Sequence, residues 1–435
     1  MTINENSVRS IKNQRRDFLK TTAAVGSAAA LSGCATVGSS GPKVVVVGGG
    51  YGGATVAKYI KMWGPNIDVT VIERNADFIS CPISNLVLGG SQSMKDITLS
   101  YDTLQKKYGV KLVRGEAAAI DVDRKVVRLA SGDSIAFDRV IVSPGVDFMY
   151  DLMPGLNNSA AQKRVLHAWK AGAQTLALRK QLESMADGGV VAISIPEAPY
   201  RCPPGPYERA SLIAWYLKTH KPKSKLTILD AKDSFSKQKL FQAAWKSLYP
   251  GLLEWVSLSG GGKVTRVDPA GLVFETEFGS HRADVATIVP PQRAGGIAVQ
   301  AGVADRTGWC PIDPVTFESR LVPGIHVIGD AAIAGAMPKS AFAANAQGKV
   351  CAWAVVALLR GETPPEPRLI NTCYSLVAPD YGISVAGVYR PVNGVLADIE
   401  GAGGTSPLDA PDAQRVQEAR YAETWFKTIT DEAFG

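Results

Sequence analysis

Hydrophobic positions along the chain fall into short runs separated by glycine- and proline-rich turns. Residues 43–47, Lys-Val-Val-Val-Val, form a run of β-branched side chains that reads as a buried parallel strand. Gly48-Gly49-Gly50-Tyr51-Gly52-Gly53 follows at once, and 54–62 reads as a helix. A second strand covers 68–72 and ends on Glu73. Alternating strands are predicted across 126–142. Two further strand runs, 188–195 and 225–230, flank a proline-rich loop (196–208) that is followed by a helix reaching Lys218. The run 325–328 is a strand ending in Gly329-Asp330, and 350–359 is an apolar helix. Short strands alternating with helices predict an α/β protein with parallel sheets.

Composition narrows the class. The 435 residues correspond to about three domains by length. At 46% hydrophobic and 20% charged, the chain can bury a large core, which excludes a disordered chain, a coiled coil or a collagen-like fibre. Six Cys are too few for a disulfide-stapled scaffold. With four His and no CxxC or HExxH spacing, no metal site is expected. The absence of CxxCH means no covalent haem on this chain.

The N-terminal segment reads as an address. Arg15-Arg16 followed by Asp-Phe-Leu-Lys and a weakly apolar, Ala-rich stretch (21–31) resembles a twin-arginine export signal over 1–33. Leu31-Ser32-Gly33-Cys34 fits a lipobox, with lipidation at Cys34, or an ordinary small-residue cleavage site. The apolar stretch is shorter than the ~20 residues needed to cross a bilayer, and no later segment is expected to span one. Five basic and two acidic residues lie in 1–33, so their removal lowers the net charge from +7 to +4. That mild balance, without a basic cluster, gives no support for nucleic-acid binding.

The glycines carry the first chemistry. Gly48, Gly50 and Gly53 fit GxGxxG between a strand and a helix, where glycine permits the tight turn, close approach of a pyrophosphate and close helix–strand packing. Glu73 lies 20 residues past Gly53, where an acidic side chain binds a ribose hydroxyl. The strand ending at Asp330 resembles a second FAD landmark, in which the Asp holds the ribityl chain, and Ile141-Val-Ser-Pro-Gly145 resembles a third. FAD is therefore the expected cofactor. The second strand pair lacks a glycine turn, and its prolines remove backbone donors that phosphates would use. NAD(P) is not expected to bind there.

The cysteines separate into two groups. Cys81 stands alone near the expected flavin ring, because position 86 is Leu where disulfide reductases would complete C-x4-C. It can form a thioether to flavin or be a small buried hydrophobe. Cys202 lies in the proline-rich loop and Cys373 far along the chain, and spacing does not pair them. Cys310 and Cys351 read as core residues.

The segments 44–59, 201–210 (Arg-Cys-Pro-Pro-Gly-Pro-Tyr-Glu-Arg-Ala), 290–295, 317–319, 324–330 and 371–375 resemble the flavoprotein subunit of flavocytochrome c sulfide dehydrogenase. The resemblance implies a two-dinucleotide-binding-domain flavoprotein of the disulfide-reductase type. It implies FAD linked covalently at Cys81, a redox disulfide between Cys202 and Cys373, and Glu208 as acid/base. It also implies sulfide as substrate and a c-type cytochrome subunit as electron acceptor. Glu208 can alternatively stabilise a helix N-terminus.

Four regions are expected after the signal: a split FAD domain at 41–155 and 300–362, a degenerate second Rossmann-like domain at 156–299, and a C-terminal cap and interface region at 363–435. Two rival functions remain open. A sulfide:quinone oxidoreductase shares the fold and paired Cys but needs an apolar membrane-facing tail, whereas 406–435 is polar. The other is a periplasmic redox partner or reactivator of a sulfur-oxidising complex with little turnover of its own.

Overall fold

The computed structural model describes residues 41–435; the export signal and Cys34 lie outside the described residues. Its first sheet has five parallel strands in the spatial order Ile325–Val327, Arg139–Val142, Lys43–Val47, Asp68–Glu73 and Lys111–Arg114. Val45 pairs with Thr70 on one side and Val140 on the other, so the central strand is covered along both edges. Val44 and Val46 are fully buried, which explains a strand that is apolar throughout instead of alternating. Because Ile325–Val327 joins this sheet from late in the chain, the first nucleotide-type unit is split in sequence.

The predicted strands over 126–142 resolve into two systems. Arg139–Val142 enters the parallel sheet, while Val126–Leu129 and Ser134–Ala136 form a small antiparallel sheet with Ala117–Asp121.

A second parallel sheet orders Leu253–Val256, Lys225–Asp230, Val190–Ile195 and Val285–Ile288. The helix Gly205–His220 follows its first strand. It begins earlier than the sequence indicated, with Pro206 in its opening turn, where a missing N–H is no loss and the fixed φ is already helical. Glu208 therefore lies in the helix's first turn and not in the loop before it.

The C-terminal region is a hairpin of Leu369–Ala378 with Tyr381–Val392, followed by the helix Asp412–Phe434. The end of that helix returns to the first unit. Phe434 stacks on Phe78 at 4.9 Å between ring centroids and meets Tyr51 edge-on at 5.8 Å.

One sequence expectation needs correction. No segment of membrane-spanning length was expected, yet helix Ala341–Leu359 is long and apolar enough by length and composition. The apolar run at 350–359 extends N-terminally through small Ala and Gly residues that do not read as strongly hydrophobic. Of its most apolar window, 61% is buried. It packs on helix Tyr51–Trp63, where a Cβ on Gly348 would lie 2.9 Å from the Gly52 carbonyl oxygen. It is a core helix by its surroundings.

Candidate flavin and dithiol site

The end of the first parallel sheet, the start of helix Gly205–His220 with the loop before it, the 169–171 turn and the C-terminal hairpin line a cavity of about 630 Å³. That falls within the roughly 300–1,000 Å³ of small-molecule sites. Gly48, Gly50, Glu73, Cys81, Asp330, Cys202, Glu208 and Cys373 all border it. Gly53 does not. A Cβ there would come within 1.8 Å of the Gly48 carbonyl oxygen, so this glycine serves the packing of helix on strand.

The glycine turn is part of the lining. Gly48 has φ +98°, and a Cβ on it would sit 2.3 Å from the Ser143 carbonyl oxygen. Gly50 precedes helix Tyr51–Trp63 as its N-cap, and a Cβ there would meet nothing closer than the Phe78 ring at 3.7 Å. The space over Gly50 is cavity, where free N–H groups at the helix start attract a phosphate. Glu73 accepts from the Gly49 N–H at 2.9 Å and from the Asn75 backbone and side-chain amides at 2.9 and 2.8 Å. Its carboxylate is thereby fixed beside the turn.

Asp330 also lines the cavity, and one of its carboxylate oxygens is buried without a hydrogen-bond partner. Burial holds its carboxyl above the usual range, against the pull of Arg201 and Lys339. The Trp169 indole N–H is likewise buried and unpartnered. An orphaned acceptor and donor in a cavity that the glycine-lined helix start also borders fit a hydroxyl-rich dinucleotide such as FAD.

Cys81 lies in the cavity wall with Sγ 3.6 Å from the Trp169 carbonyl oxygen, and the Ala171 N–H donates to it at 3.5 Å. Arg201 donates to the same Trp169 oxygen and faces the sulfur.

Cys202 and Cys373 both line this cavity. They are 171 positions apart in sequence and close enough for charge on one to be felt by the other. Both are free thiols, so the expected bond between them is not formed in this structure. Cys202 adopts the left-handed region at φ 58°, anchored by its N–H to the Lys339 carbonyl at 2.7 Å. Its thiol leans on Gly205, where a Cβ would approach Sγ to 2.8 Å. Burial, then the neighbouring Cys373 and Glu208, push the Cys202 thiol well above its ordinary value. Burial also raises Cys373, with Lys237 acting against it.

Glu208 takes hydrogen bonds from Asn85 Nδ2 at 2.8 Å and from the Leu376 N–H at 3.2 Å. Both donors belong to other elements, so the carboxyl is not spent on capping its own helix. Burial raises its proton affinity, which suits a group that exchanges protons near neutrality.

The sequence did not single out the cations. Arg209 is 2% exposed and donates to the His167 and Ala168 carbonyls at 2.6 and 2.7 Å, while its guanidinium lies 4.9 Å from the Trp169 ring. Burial lowers it to about 10. Arg201, Lys170 and Lys237 add positive charge around the cavity. The available signal was a helix, Gly205–His220, carrying arginine among otherwise apolar buried positions.

The corresponding crevice of the second sheet is filled by protein. Asp230 ends the strand Lys225–Asp230 where a nucleotide ribose would be read. It is fully buried and accepts from Tyr207 Oη at 2.6 Å, Lys232 Nζ at 2.5 Å and Trp255 Nε1 at 3.0 Å. The Tyr207 ring in turn stacks on Phe235, with 3.6 Å between ring centroids.

Known families match in four segments. Residues 175–290 match the central region of the sulfide dehydrogenase [flavocytochrome c] flavoprotein chain, and 365–434 match the flavin-binding region of flavocytochrome c sulphide dehydrogenase. Residues 42–185 match the pyridine nucleotide-disulphide oxidoreductases, and 12–32 match the twin-arginine translocation signal, which marks the chain for export to the periplasm. A sulfide dehydrogenase [flavocytochrome c] flavoprotein chain from Chlorobaculum thiosulfatiphilum is 53% identical over 45 residues, 10% of this chain and 94% of that one. The mitochondrial sulfide:quinone oxidoreductase of Mus musculus is 25% identical over 306 residues, and the match spans 66% of this chain and 65% of that protein's length. The solved sulfide:quinone oxidoreductase of Aquifex aeolicus shares the fold, with TM-score 0.72 and 17% identity over 90% of this chain and 92% of that one. With these matches, and a glycine turn, an acidic strand end and two remote thiols lining one cavity, the chain belongs to the flavoprotein family of flavocytochrome c sulfide dehydrogenase.

Proposed function

We propose that this protein oxidises sulfide with a Cys202–Cys373 disulfide and passes the electrons through FAD to a c-type cytochrome subunit. The observation that carries this reading is that two thiols remote in sequence line the same cavity as the glycine turn Gly48–Gly50 and Glu73. Hydrosulfide is an anion, and Arg201, Arg209, Lys170 and Lys237 make the surroundings attractive to one. Its sulfur attacks one sulfur of the disulfide: a new S–S bond forms on that cysteine, the old S–S bond breaks, and the other cysteine leaves as a thiolate. Glu208 accepts and returns the protons of these steps. Bound FAD supplies a two-electron acceptor that can release electrons one at a time.

Gly48, Gly50 and Glu73 would hold the nucleotide half, Asp330 the ribityl chain, and Cys81 a thioether to the ring. The filled crevice at Asp230 supports exclusion of NAD(P). Sulfide-dependent cytochrome c reduction by the purified holoprotein tests the reading. Turnover that is abolished in Cys202→Ser and in Cys373→Ser, with FAD retained, supports it; turnover retained in either variant overturns it. A quinone acceptor is the second reading, favoured by the relatives named above, and substituting a soluble quinone for cytochrome c in the same assay separates the two.

A further inference from the structure

Cys202 sits in the left-handed region at φ 58°, a conformation that a non-glycine residue keeps only where its surroundings over-determine it. Its loop, 196–204, runs from the end of strand Val190–Ile195 to the start of helix Gly205–His220. Two tethers lie beside the thiol: the Cys202 N–H reaches the Lys339 carbonyl at 2.7 Å, and the Arg201 N–H reaches Gln292 Oε1 at 3.0 Å. Three more converge on one buried ion pair in the second sheet.

Asp230 is fully buried at the end of strand Lys225–Asp230, and Lys232 Nζ lies 2.5 Å from its Oδ1. Lys232 Nζ also donates to the Pro196 carbonyl at 3.2 Å, where the loop begins. The same ammonium lies 5.0 Å from the centroid of the Tyr200 ring, within cation–π range and two residues before Cys202. Tyr200 is 4% exposed, and its Oη donates to the Pro203 carbonyl at 3.2 Å, so its side chain spans Cys202. Asp230 Oδ2 accepts from the Tyr207 hydroxyl at 2.6 Å, in the first turn of the helix that ends the loop. Trp255 Nε1, on the neighbouring strand, donates to that oxygen at 3.0 Å. A buried ion pair adds little net stability, because desolvation offsets its Coulomb attraction. What it does here is fix the groups that hydrogen-bond to it.

We propose that the Asp230–Lys232 pair is a positioning device for Cys202. It fastens the entry, the middle and the exit of the thiol-bearing loop, and thereby keeps Cys202 in its left-handed conformation on the cavity wall. The carboxylate that stands where a nucleotide ribose would be read serves the dithiol instead. The inference rests on the reading of Cys202 as half of the redox pair.

The test is equilibration of the holoprotein with a glutathione buffer, the Cys202–Cys373 bond being read by non-reducing peptide mapping. Closing the bond converts one oxidised glutathione to two reduced ones, so the equilibrium constant is an effective concentration of one thiol at the other. Tyr207→Phe cuts the exit tether and leaves the ring in place; Lys232→Met cuts the entry and middle tethers. Each should lower the constant about tenfold, the size of one lost hydrogen bond to a charged group. Lys232→Arg should hold it near the parent's. Amide exchange should quicken over 196–204 in both variants and stay unchanged over strand Leu369–Ala378, which sets a loosened loop apart from a weakened fold. A constant unchanged in both variants, or exchange quickened equally over loop and strand, overturns the proposal. A parent holoprotein that forms no Cys202–Cys373 bond in any buffer overturns the underlying reading instead, and loop exchange alone then judges the tethers: quickening confined to 196–204 upholds them and its absence overturns them.

Discussion

Arg201 and Cys81 converge on one atom. The Trp169 carbonyl oxygen accepts from the Arg201 guanidinium and lies 3.6 Å from Cys81 Sγ. The arginine thereby fixes the 169–171 turn whose Ala171 N–H donates to the same sulfur. If Cys81 carries the flavin, Arg201→Met should lower the yellow colour retained after acid precipitation, and Arg201→Lys should keep more of it. Loss of a buried charge-assisted hydrogen bond costs about 1.5–3 kcal/mol, so a lower Tm is expected as well. Full covalent retention in Arg201→Met would detach the arginine from this task.

Cys81→Ser should bind FAD and release all of it on acid precipitation. The measurement is the absorbance split between pellet and supernatant. Flavin that stays in the pellet of Cys81→Ser would place the linkage elsewhere or remove it from the reading.

The three glycines should fail in two ways. Gly50→Ala has φ −71° and no clash, so the protein should fold with unchanged Tm in the cofactor-free form and bind FAD more weakly. Gly48→Ala and Gly53→Ala meet backbone oxygens at 2.3 and 1.8 Å, so both should lower stability before any cofactor is added. Thermal melts of the cofactor-free proteins with FAD titrations separate the two effects. Equal losses for Gly50 and Gly53 would contradict the assignment of Gly50 to phosphate binding.

Much of this architecture was readable locally. The valine run 43–47 and the glycines after it announce a buried strand and tight turn because both signals are carried by adjacent residues. The helix at Gly205 was harder to read, since its prolines suggest a loop until their place in the first turn is known. The grouping of Cys202 with Cys373 came from family resemblance, because the 170 intervening residues carry no pairing signal. Trp169, Arg201 and Arg209 escaped notice for a related reason. Their roles depend on carbonyls presented by other segments, such as His167 and Ala168 for Arg209. The core helix Ala341–Leu359 extends beyond the apolar run at 350–359 because its first half is built largely of small Ala and Gly residues, with Gly348 closely packed on Gly52.

Glu208 has a pH signature of determinate sign. Burial raises its carboxyl in the folded protein, so the folded state binds more protons than the unfolded chain above about pH 4.3, the unperturbed value. Stability contributed by this group is therefore full at low pH and declines as pH rises through the folded value. Glu208→Gln should raise Tm relative to the parent at neutral pH, with the gap closing toward pH 4. The same variant should slow sulfide oxidation. A Tm gap independent of pH would show that the carboxyl is not held protonated by burial.

The bond between Cys202 and Cys373 can be read directly by non-reducing peptide mapping of the air-oxidised holoprotein. A cross-linked pair of peptides containing Cys202 and Cys373, lost on adding sulfide and accompanied by an alkylatable Cys310 and Cys351 only after denaturation, is expected. Recovery of Cys202 and Cys373 as separate free thiols from the oxidised protein, or cross-linked to other cysteines, would contradict it.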